Sequence, residues 1–506
     1  MKKSLKTLII TFLLVLTLCS ASTFTVHAAS KGTYFLSGKF YYHTISKNKV
    51  EVCGTTRDTG TLTIPASVYY KGKKYKVTQI ANHVLYDQSE DIIYGYGAEI
   101  DMPGAHHYHY VRLDGKAMPA GVKSISETDI TKVVLPSTLT YIGEGAFGCC
   151  EKLEQVKFAK KYKKLTIGKN AFYGESLKSL VFPSGTYELK ENATGITPDI
   201  TIPASVKKIA PGVVNYKTKK VTIDKKNKKF KMKDGILYSK DEKKLISASS
   251  KVAKNVVISD KTVTIGNKAF AKTKVKSVTL NSNIQVIPEG AFHICEKLVS
   301  VKETDSIREI RYGAFDSCRR LKTVGTLPNL ERIGRATFWC AWRLKLTLND
   351  IIEDIDLWAF AGKGYSQVGN IKVSEGNKHF AVENNLLIKI EGDNRIVMAY
   401  MGEEAYVVVP EGVTEITGHV GGYDCSEIIL PTTLKKLTGD VRADTIVFKG
   451  KTPPKFADKY WWRGYYTIVV PKGSYKAYKQ AITKAYDDMD GEYYIWDDDN
   501  IELIEE

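Results

Sequence analysis

The sequence is poor in cysteine and tryptophan. Its 506 residues include 8 Cys and 6 Trp, and so few cysteines exclude a disulfide-rich scaffold. Three sequence signatures of catalysis are also missing: the G-x-S-x-G nucleophile elbow, the H-E-x-x-H zinc motif and the phosphate-binding G-x-x-x-x-G-K-[ST] loop. We therefore expect a protein that is not an enzyme and uses no cofactor.

Long apolar runs are scarce as well. One run of twelve residues, Leu8–Cys19, follows Lys2, Lys3 and Lys6 and precedes a small-residue site that ends at Ala28. A basic start, a short apolar segment and such a site are typical of a secretory signal peptide, which we place at residues 1–28. Because this run is too short to span a bilayer comfortably, we expect a secreted, extracellular chain without a transmembrane segment, either released or retained at the cell surface.

The charge is positive and unevenly distributed. The formal net charge is +18, residues 487–506 hold ten acidic side chains and neither Lys nor Arg, and Lys-rich runs lie at 160–164 and 217–233. A basic surface attracts nucleic acid or other anionic partners. Because an exported chain does not work on cytosolic nucleic acid, we expect no nucleic acid and consider acidic glycans or wall polymers instead.

A short phrase, Ile-Gly-x-x-Ala-Phe, recurs with variations along the chain. Its seven clear copies end at Phe147, Phe172, Phe270, Phe292, Phe315, Phe338 and Phe360. Most copies are 22–25 residues apart, which is the period of leucine-rich repeats. A Leu-x-x-Val-x-Leu pattern follows several copies, as at Leu153–Phe158, and its alternation predicts a short strand with one buried face.

These patterns predict a strand-rich, α/β-type leucine-rich repeat solenoid of roughly a dozen units. A parallel β-sheet would form one face, and turns with short helical segments would form the other, because single repeats bury their apolar residues only by stacking. The phrase containing Phe230 is echoed at Phe380, and both predict hairpin units, near 225–250 and 372–400, inserted into the array. We divide the chain into a signal peptide (1–28), an N-terminal cap with the first repeat (29–83), a Tyr- and His-rich insert (84–126), the solenoid (127–450) and a C-terminal α/β cap with an acidic tail (451–506).

The repeat resembles the BspA-type leucine-rich repeat family, whose pattern is roughly I-G-x-x-A-F-x-x-C-x-x-L-x-x-V-x-L-P. Ile142–Phe158 follows most of it, and Ile287–Val301 follows it up to the final Leu-Pro. The resemblance covers about residues 60–480. It implies adhesion or protein binding at a cell surface, including binding to host extracellular-matrix proteins, and it assigns no catalytic residues.

The outward positions of the predicted strands form a candidate binding surface. They are Gln155, Lys157, Ser179, Val181, Ser277, Thr279, Ser300, Lys302 and Thr323. Solenoids commonly bind partners on such extended surfaces, and these small polar residues specify no particular ligand.

Two groups of residues allow a second interpretation. Cys150, Cys295 and Cys318 each follow a repeat Phe by three residues, so they would be neighbours in a stack. They are either a metal or disulfide ladder or, as we favour, small buried core residues. His106, His107 and His109 could hold zinc or copper, but no Cys or Glu at ligand spacing accompanies them, which favours a solvated loop.

We therefore expect a secreted, monomeric, non-catalytic protein that mediates adhesion by binding an extracellular protein or glycan, such as a host matrix or mucosal component. The alternative is a secreted metal-binding protein or hydrolase with its site in the insert at 84–126.

Overall fold

The computed structural model describes residues 32–87, 108–111, 119–174, 176–360, 370–422, 424–456, 466–487 and 501–506. The chain is a strand-rich solenoid of about 14 turns with little helix, which confirms the predicted fold class. The signal peptide predicted at 1–28 lies outside the described residues.

Most turns of the solenoid contribute a strand to a first face, made by the Leu-x-x-Val pattern. These strands pair in parallel with those of neighbouring turns, and their central residues point into the core. They are Thr59–Thr63, Asp129–Val134, Gln155–Lys157, Ser179–Val181, Asp199–Ile202, Lys220–Ile223, Asn255–Val257, Ser277–Thr279, Ser300–Lys302, Lys345–Leu348, Asn370–Val373, Tyr406–Val408, Glu427–Leu430, Thr445–Phe448, Tyr466–Val470 and Ile501–Glu505.

A second face, which the sequence did not predict, is made by strands that end at or beside the Ile of the repeated phrase. Many are only two residues long, too short to show a hydrophobic period. They are Lys73–Ile80, Tyr141–Ile142, Lys161–Ile167, Ser184–Leu189, Lys208–Ile209, Thr264–Ile265, Val286–Ile287, Glu309–Ile310, Arg332–Ile333, Asp354–Ile355, Glu415–Ile416, Lys436–Leu437 and Lys455–Phe456.

The remaining elements are few. Ser67–Tyr70 pairs antiparallel with Lys73–Ile80, Val84–Asp87 pairs antiparallel with Tyr108–Val111, and Val420–Gly421 pairs in parallel with Val441–Arg442. A 3-10 helix spans Ile125–Glu127, and an α-helix spans Tyr475–Asp487 near the C-terminus. Buried Tyr478 and Ile482 attach this α-helix to the last part of the core.

Three antiparallel meanders of three strands interrupt the array. Their strands are Tyr34–Ser37, Phe40–Ser46 and Lys49–Thr55; Phe230–Lys233, Ile236–Ser239 and Lys244–Ala248; and Phe380–Glu383, Leu386–Glu391 and Asn394–Tyr400. In each, the last strand continues in parallel into the second face, and a bulge lies at the same place, after Tyr41, Leu237 and Leu387 respectively. The latter two meanders lie at the predicted hairpin units, while the N-terminal one was not foreseen.

The two internal meanders are buried on both sides and separate three core regions. Leu237 packs into the N-terminal core, whereas its neighbours Ile236 and Tyr238 pack into the central core. Likewise Leu387 faces the central core and Ile388 faces the C-terminal core. Because successive strand residues point to opposite sides, an uninterrupted apolar run is needed at these positions.

The phenylalanines of the repeated phrase form stacks along the solenoid axis. Neighbouring rings lie with centroids 5.2–5.7 Å apart and planes within 2–10° of parallel. One stack joins Phe147 to Phe172, and a longer one runs through Phe270, Phe292, Phe315, Phe338 and Phe360. Offset stacking of this kind adds to the burial of the rings.

The turn that carries each Phe has a fixed backbone conformation. The residue two places before the ring is left-handed in six copies, with φ between 51° and 60°. Glycine adopts this conformation most easily and occupies it at Gly145, Gly290 and Gly313. The Ala-Phe phrase thus forms turns, and no α-helix occurs there among the described residues.

Asparagine side chains tie successive turns together at the end of first-face strands. Asn281 Nδ2 donates to the carbonyl oxygens of Ser259 (2.7 Å) and Thr262 (3.1 Å) in the preceding turn. Asn349 makes the same pair of bonds to Leu327 and Leu330. These bonds give the carbonyls of Thr262 and Leu330 a donor. They give those of Ser259 and Leu327, which also accept from the backbone N–H groups of Thr262 and Leu330, a second donor.

We predict that Phe315→Ala destabilises the protein by about 3–5 kcal/mol, because it removes a ring stacked on two neighbours and leaves a cavity. Tyr312→Ala, an exposed aromatic in the same turn, is the control and should change stability by no more than about 0.5 kcal/mol. The free energy of unfolding from urea titration measures both. Equal losses for the two variants would contradict the structural role of the stack.

Candidate binding face

The nine candidate residues lie on the first face, with side chains directed away from the core. Between them, the central residues Leu180, Val278 and Val301 are buried, as the alternation of a strand requires. The structure brings five of the nine together: Ser300 is in register with Ser277 and forms a bridge to Thr323, and Thr279 is in register with Lys302. The other four lie on two further sheets of the same face, at 155–157 and 179–181.

The chemistry of these sheets is polar and basic. Ser277 donates a hydrogen bond to Asn255 Oδ1 (2.9 Å) across the neighbouring strands, while Lys157 and Lys302 are exposed. Val181 and Val257 are the exposed apolar exceptions. Such a surface can bind a partner by hydrogen bonds and charge, and its exposed apolar side chains are single valines on separate sheets.

The C-terminal sheet of the same face is different, and the sequence analysis missed it. Its outward positions are apolar and in register across five strands, and we name them the C-terminal apolar row: Val408, Ile429, Val447, Val469 and Ile504. Val408 is 45% exposed, Ile504 is 36% exposed, and Tyr406 beside the row is 69% exposed. Ile429 and Val447 are half-buried, and Val469 is buried. The sequence could have revealed this row, because these strands are runs of consecutive apolar residues. A strand with one polar side would instead alternate between polar and apolar residues.

The three cysteines of the repeat are buried free thiols that donate to backbone carbonyls. Cys295 Sγ lies 2.9 Å from the carbonyl oxygen of Phe270, Cys318 Sγ lies 3.0 Å from that of Phe292, and Cys150 Sγ lies 3.1 Å from that of Ile125. Burial raises the pKa of all three thiols, that of Cys295 to about 12. Ala341 fills the equivalent buried position in the next repeat, where Cys340 comes one residue early.

The histidine cluster of the insert is only partly described. His106 and His107 lie outside the described residues, and His109 belongs to the strand Tyr108–Val111. In the part of the chain that the structure describes, no three His, Cys, Asp or Glu side chains are grouped so as to hold a metal ion. Within the same part, no helix is long and apolar enough to cross a membrane.

A buried hydrogen bond closes the base of the insert. His83 Nδ1 and Ser124 Oγ are 2.9 Å apart, and Ser124 Oγ lies 2.6 Å from Ser126 Oγ. His83 is fully enclosed, and desolvation lowers its pKa to about 4. The imidazole is therefore neutral at pH 7, and the two ends of a segment of about forty residues are held together by it.

Comparison with known proteins gives a family match and several similar structures. The family model described as BspA type leucine rich repeat region matches residues 120–240 and 247–369, in six copies. No curated protein matches the chain.

Solved structures of bacterial repeat proteins are similar at low identity. A leucine rich cell surface protein of Faecalibacterium prausnitzii is 19% identical, with 69% of this chain and 96% of that chain covered and a TM-score of 0.42. A leucine-rich repeat protein of Eubacterium ventriosum is 17% identical, with 65% and 87% covered and a TM-score of 0.41. The pneumococcal vaccine antigen PcpA is 15% identical, with 94% and 99% covered and a TM-score of 0.33.

We predict that Cys150, Cys295 and Cys318 resist alkylation in the folded protein, because the thiolate is the reactive form and burial disfavours it. Iodoacetamide treatment at neutral pH followed by peptide mass mapping measures this, with the same protein in guanidinium chloride as the control. Alkylation of Cys318 in buffer as fast as in denaturant would contradict the burial of the thiols.

We predict that the protein loses stability as the pH falls from about 6.5 to 4. The folded pKa of His83 lies below the unfolded one, so the unfolded chain takes up the proton first. The contribution of neutral His83 to the free energy of unfolding is fully present above pH 6.5. It decreases by up to roughly 3 kcal/mol as the pH approaches 4. Urea unfolding of wild type and His83→Gln across this range measures the effect. The variant should show a flatter pH dependence, and identical slopes would refute the assignment.

Proposed function

Because residues 120–240 and 247–369 belong to the BspA type of leucine-rich repeat, we propose that the chain is a secreted, non-catalytic binding protein. It acts as a monomer at or near a cell surface and mediates adhesion by holding an extracellular protein ligand on its first face. The basic start, the apolar segment and the small-residue site within residues 1–28 support export.

The observation that carries this function is the C-terminal apolar row. Exposed apolar groups that lie together on a soluble protein often mark an interaction site. Here the row runs across five hydrogen-bonded strands and is exposed at Val408 and Ile504, half-buried at Ile429 and Val447, and buried at Val469. The backbone therefore fixes the position of its accessible members before binding. A preformed surface avoids part of the entropic cost of association.

The surroundings of the row suit a protein partner. Tyr406 is a large exposed aromatic at its edge, and Tyr is enriched among the residues that dominate protein interfaces. Glu427 and Thr445 occupy the neighbouring outward row in register with Tyr406. An apolar centre with a polar border is the usual anatomy of a protein interface.

We predict that Val408→Ser combined with Ile429→Ser weakens binding to the protein ligand by about tenfold or more, because interface anchors carry most of the binding energy. Surface plasmon resonance of the mature chain against purified extracellular-matrix proteins and mucin identifies the ligand and measures the loss. The matched control is Val263→Ser with Ile351→Ser, an exposed valine and an exposed isoleucine that lie outside the strands of the first face.

The control variant should bind as the wild type does. Unchanged binding by the double variant in the row would move the site elsewhere on the solenoid. If the wild-type chain binds no member of the panel at physiological salt, the proposed adhesive function is wrong for these ligands.

A further inference from the structure

Arginine is concentrated in one short segment of this lysine-rich chain. Of its 12 Arg residues, seven lie between Arg308 and Arg343, and three of its 6 Trp residues lie between Trp339 and Trp358. Lysine supplies nearly all other positive charge. Arginine is not equivalent to lysine, since its planar guanidinium stacks on aromatic rings and binds oxyanions through two parallel hydrogen bonds.

The fold places much of this segment on the turn side of three successive repeats, between the first and second faces. Tyr312, Arg335 and Trp358 occupy successive rungs of one backbone ladder, because their carbonyls accept hydrogen bonds from Gly290, Gly313 and Ala336 respectively, at 2.9–3.0 Å. Neighbouring rungs of such a ladder are about 4.7–4.9 Å apart. Tyr312 is 57% exposed, and Trp342 and Trp358 are each 39% exposed.

Two arginine–tryptophan pairs are already formed. The Arg319 guanidinium carbon lies 5.7 Å from the centroid of the Trp342 ring, and that of Arg335 lies 6.0 Å from the centroid of Trp358. Each pair joins adjacent repeats. In each pair the guanidinium group lies over the indole ring at the surface, which is the geometry of a cation–π contact.

Six of the seven arginines of the segment fall into two electrostatic classes. Arg308 pairs with Glu331, Arg311 with Glu309 at 3.0 Å and Arg332 with Asp354 at 3.0 Å, all beside the second face. On the turn side, Arg319, Arg320 and Arg335 are exposed, and no carboxylate of the described residues forms a salt bridge with them. Their charge is therefore available to an external anion.

We propose that this Arg–Trp patch, made of Tyr312, Arg319, Arg320, Arg335, Trp342 and Trp358, binds an anionic polysaccharide that carries carboxylate or sulfate groups. Guanidinium forks match the geometry of these oxyanions, and aromatic faces offer an apolar surface to the C–H face of a sugar ring. The side chains of the patch recur from one turn of the solenoid to the next. The charges of such a polymer likewise recur along its chain. It is separate from the C-terminal apolar row and takes a different class of ligand.

Surface plasmon resonance of the mature chain tests this with heparin (sulfate and carboxylate), hyaluronan (carboxylate only), neutral dextran and poly-L-glutamate at physiological salt. We expect binding to heparin, to hyaluronan or to both, and none to dextran. The heparin and hyaluronan arms distinguish sulfated from carboxylated sources of the ligand.

Two variants examine the patch itself. Trp342→Ala with Trp358→Ala should weaken glycan binding by about tenfold, as for aromatic anchors in other interfaces. Arg319→Lys with Arg335→Lys keeps the net charge but loses the fork and the stacking, and should also weaken binding severalfold. The matched control, Arg308→Lys with Arg332→Lys, changes two salt-bridged arginines nearby and should bind as the wild type does.

Independent readings separate loss of binding from loss of structure. Far-UV circular dichroism at the assay temperature should be unchanged. The melting temperature of Trp342→Ala with Trp358→Ala should fall somewhat, because each ring is only 39% exposed. Glycan should quench indole fluorescence in the wild type but less in this variant. The Val408→Ser, Ile429→Ser variant should keep full glycan binding, so the two proposed sites fail or succeed separately.

Three outcomes overturn the proposal. The first is wild-type binding to neither anionic glycan. The second is glycan binding that both the tryptophan and the lysine variants retain, which would indicate general attraction to the lysine-rich surface. The third is tighter binding of poly-L-glutamate with the same variant pattern, which would assign the patch to an acidic protein.

Discussion

The stacking of one phenylalanine upon the next is the constraint on which the rest of the solenoid depends. Rings 5.2–5.7 Å apart nearly match the spacing of hydrogen-bonded strands, about 4.7–4.9 Å. Each ring can meet its neighbour only if every turn follows the same path, which explains the left-handed residue two places before Phe in six copies. In the repeats that carry these rings, the fixed turn also fixes the direction of the strands on both faces, and the turns without the ring pair with them in parallel.

The sequence predicted the elements that this repetition makes visible. The Ala-Phe phrase and the Leu-x-x-Val pattern located the repeats and the first face, because buried positions recur at fixed spacing. The second face escaped prediction because strands such as Val286–Ile287 have two residues, too few to show alternation. The N-terminal meander escaped because its packing differs: Tyr41 there joins Cys53 and Val122 in a small end cluster, whereas the equivalent Leu237 packs into a full core.

The alternation of the strands accounts for the outward direction of the nine candidate residues, and their role in binding stays a prediction. Alternation identifies which residues of Ser277–Thr279 point outward. Core packing does not constrain the identity of outward residues, so the alternation carries no information about a ligand. Composition does carry such information where it departs from the local pattern. Consecutive apolar residues in Glu427–Leu430 and the change from lysine to arginine after Arg308 are both departures of this kind.

The meanders explain why the two proposed sites can act separately. In each internal meander, Leu237 or Leu387 packs into one core and its sequence neighbours pack into the next. The meanders therefore connect three cores that remain distinct. The Arg–Trp patch lies on the central core, over the five-ring stack that ends at Phe360, and a stack of rigid rungs holds charges at fixed spacing. The C-terminal apolar row lies on the third core, which is closed by the helix Tyr475–Asp487. A rigid scaffold is what positions binding groups accurately, and the stacked turns of the solenoid supply it both for the charged ligand proposed at the central core and for the apolar contact proposed at the third.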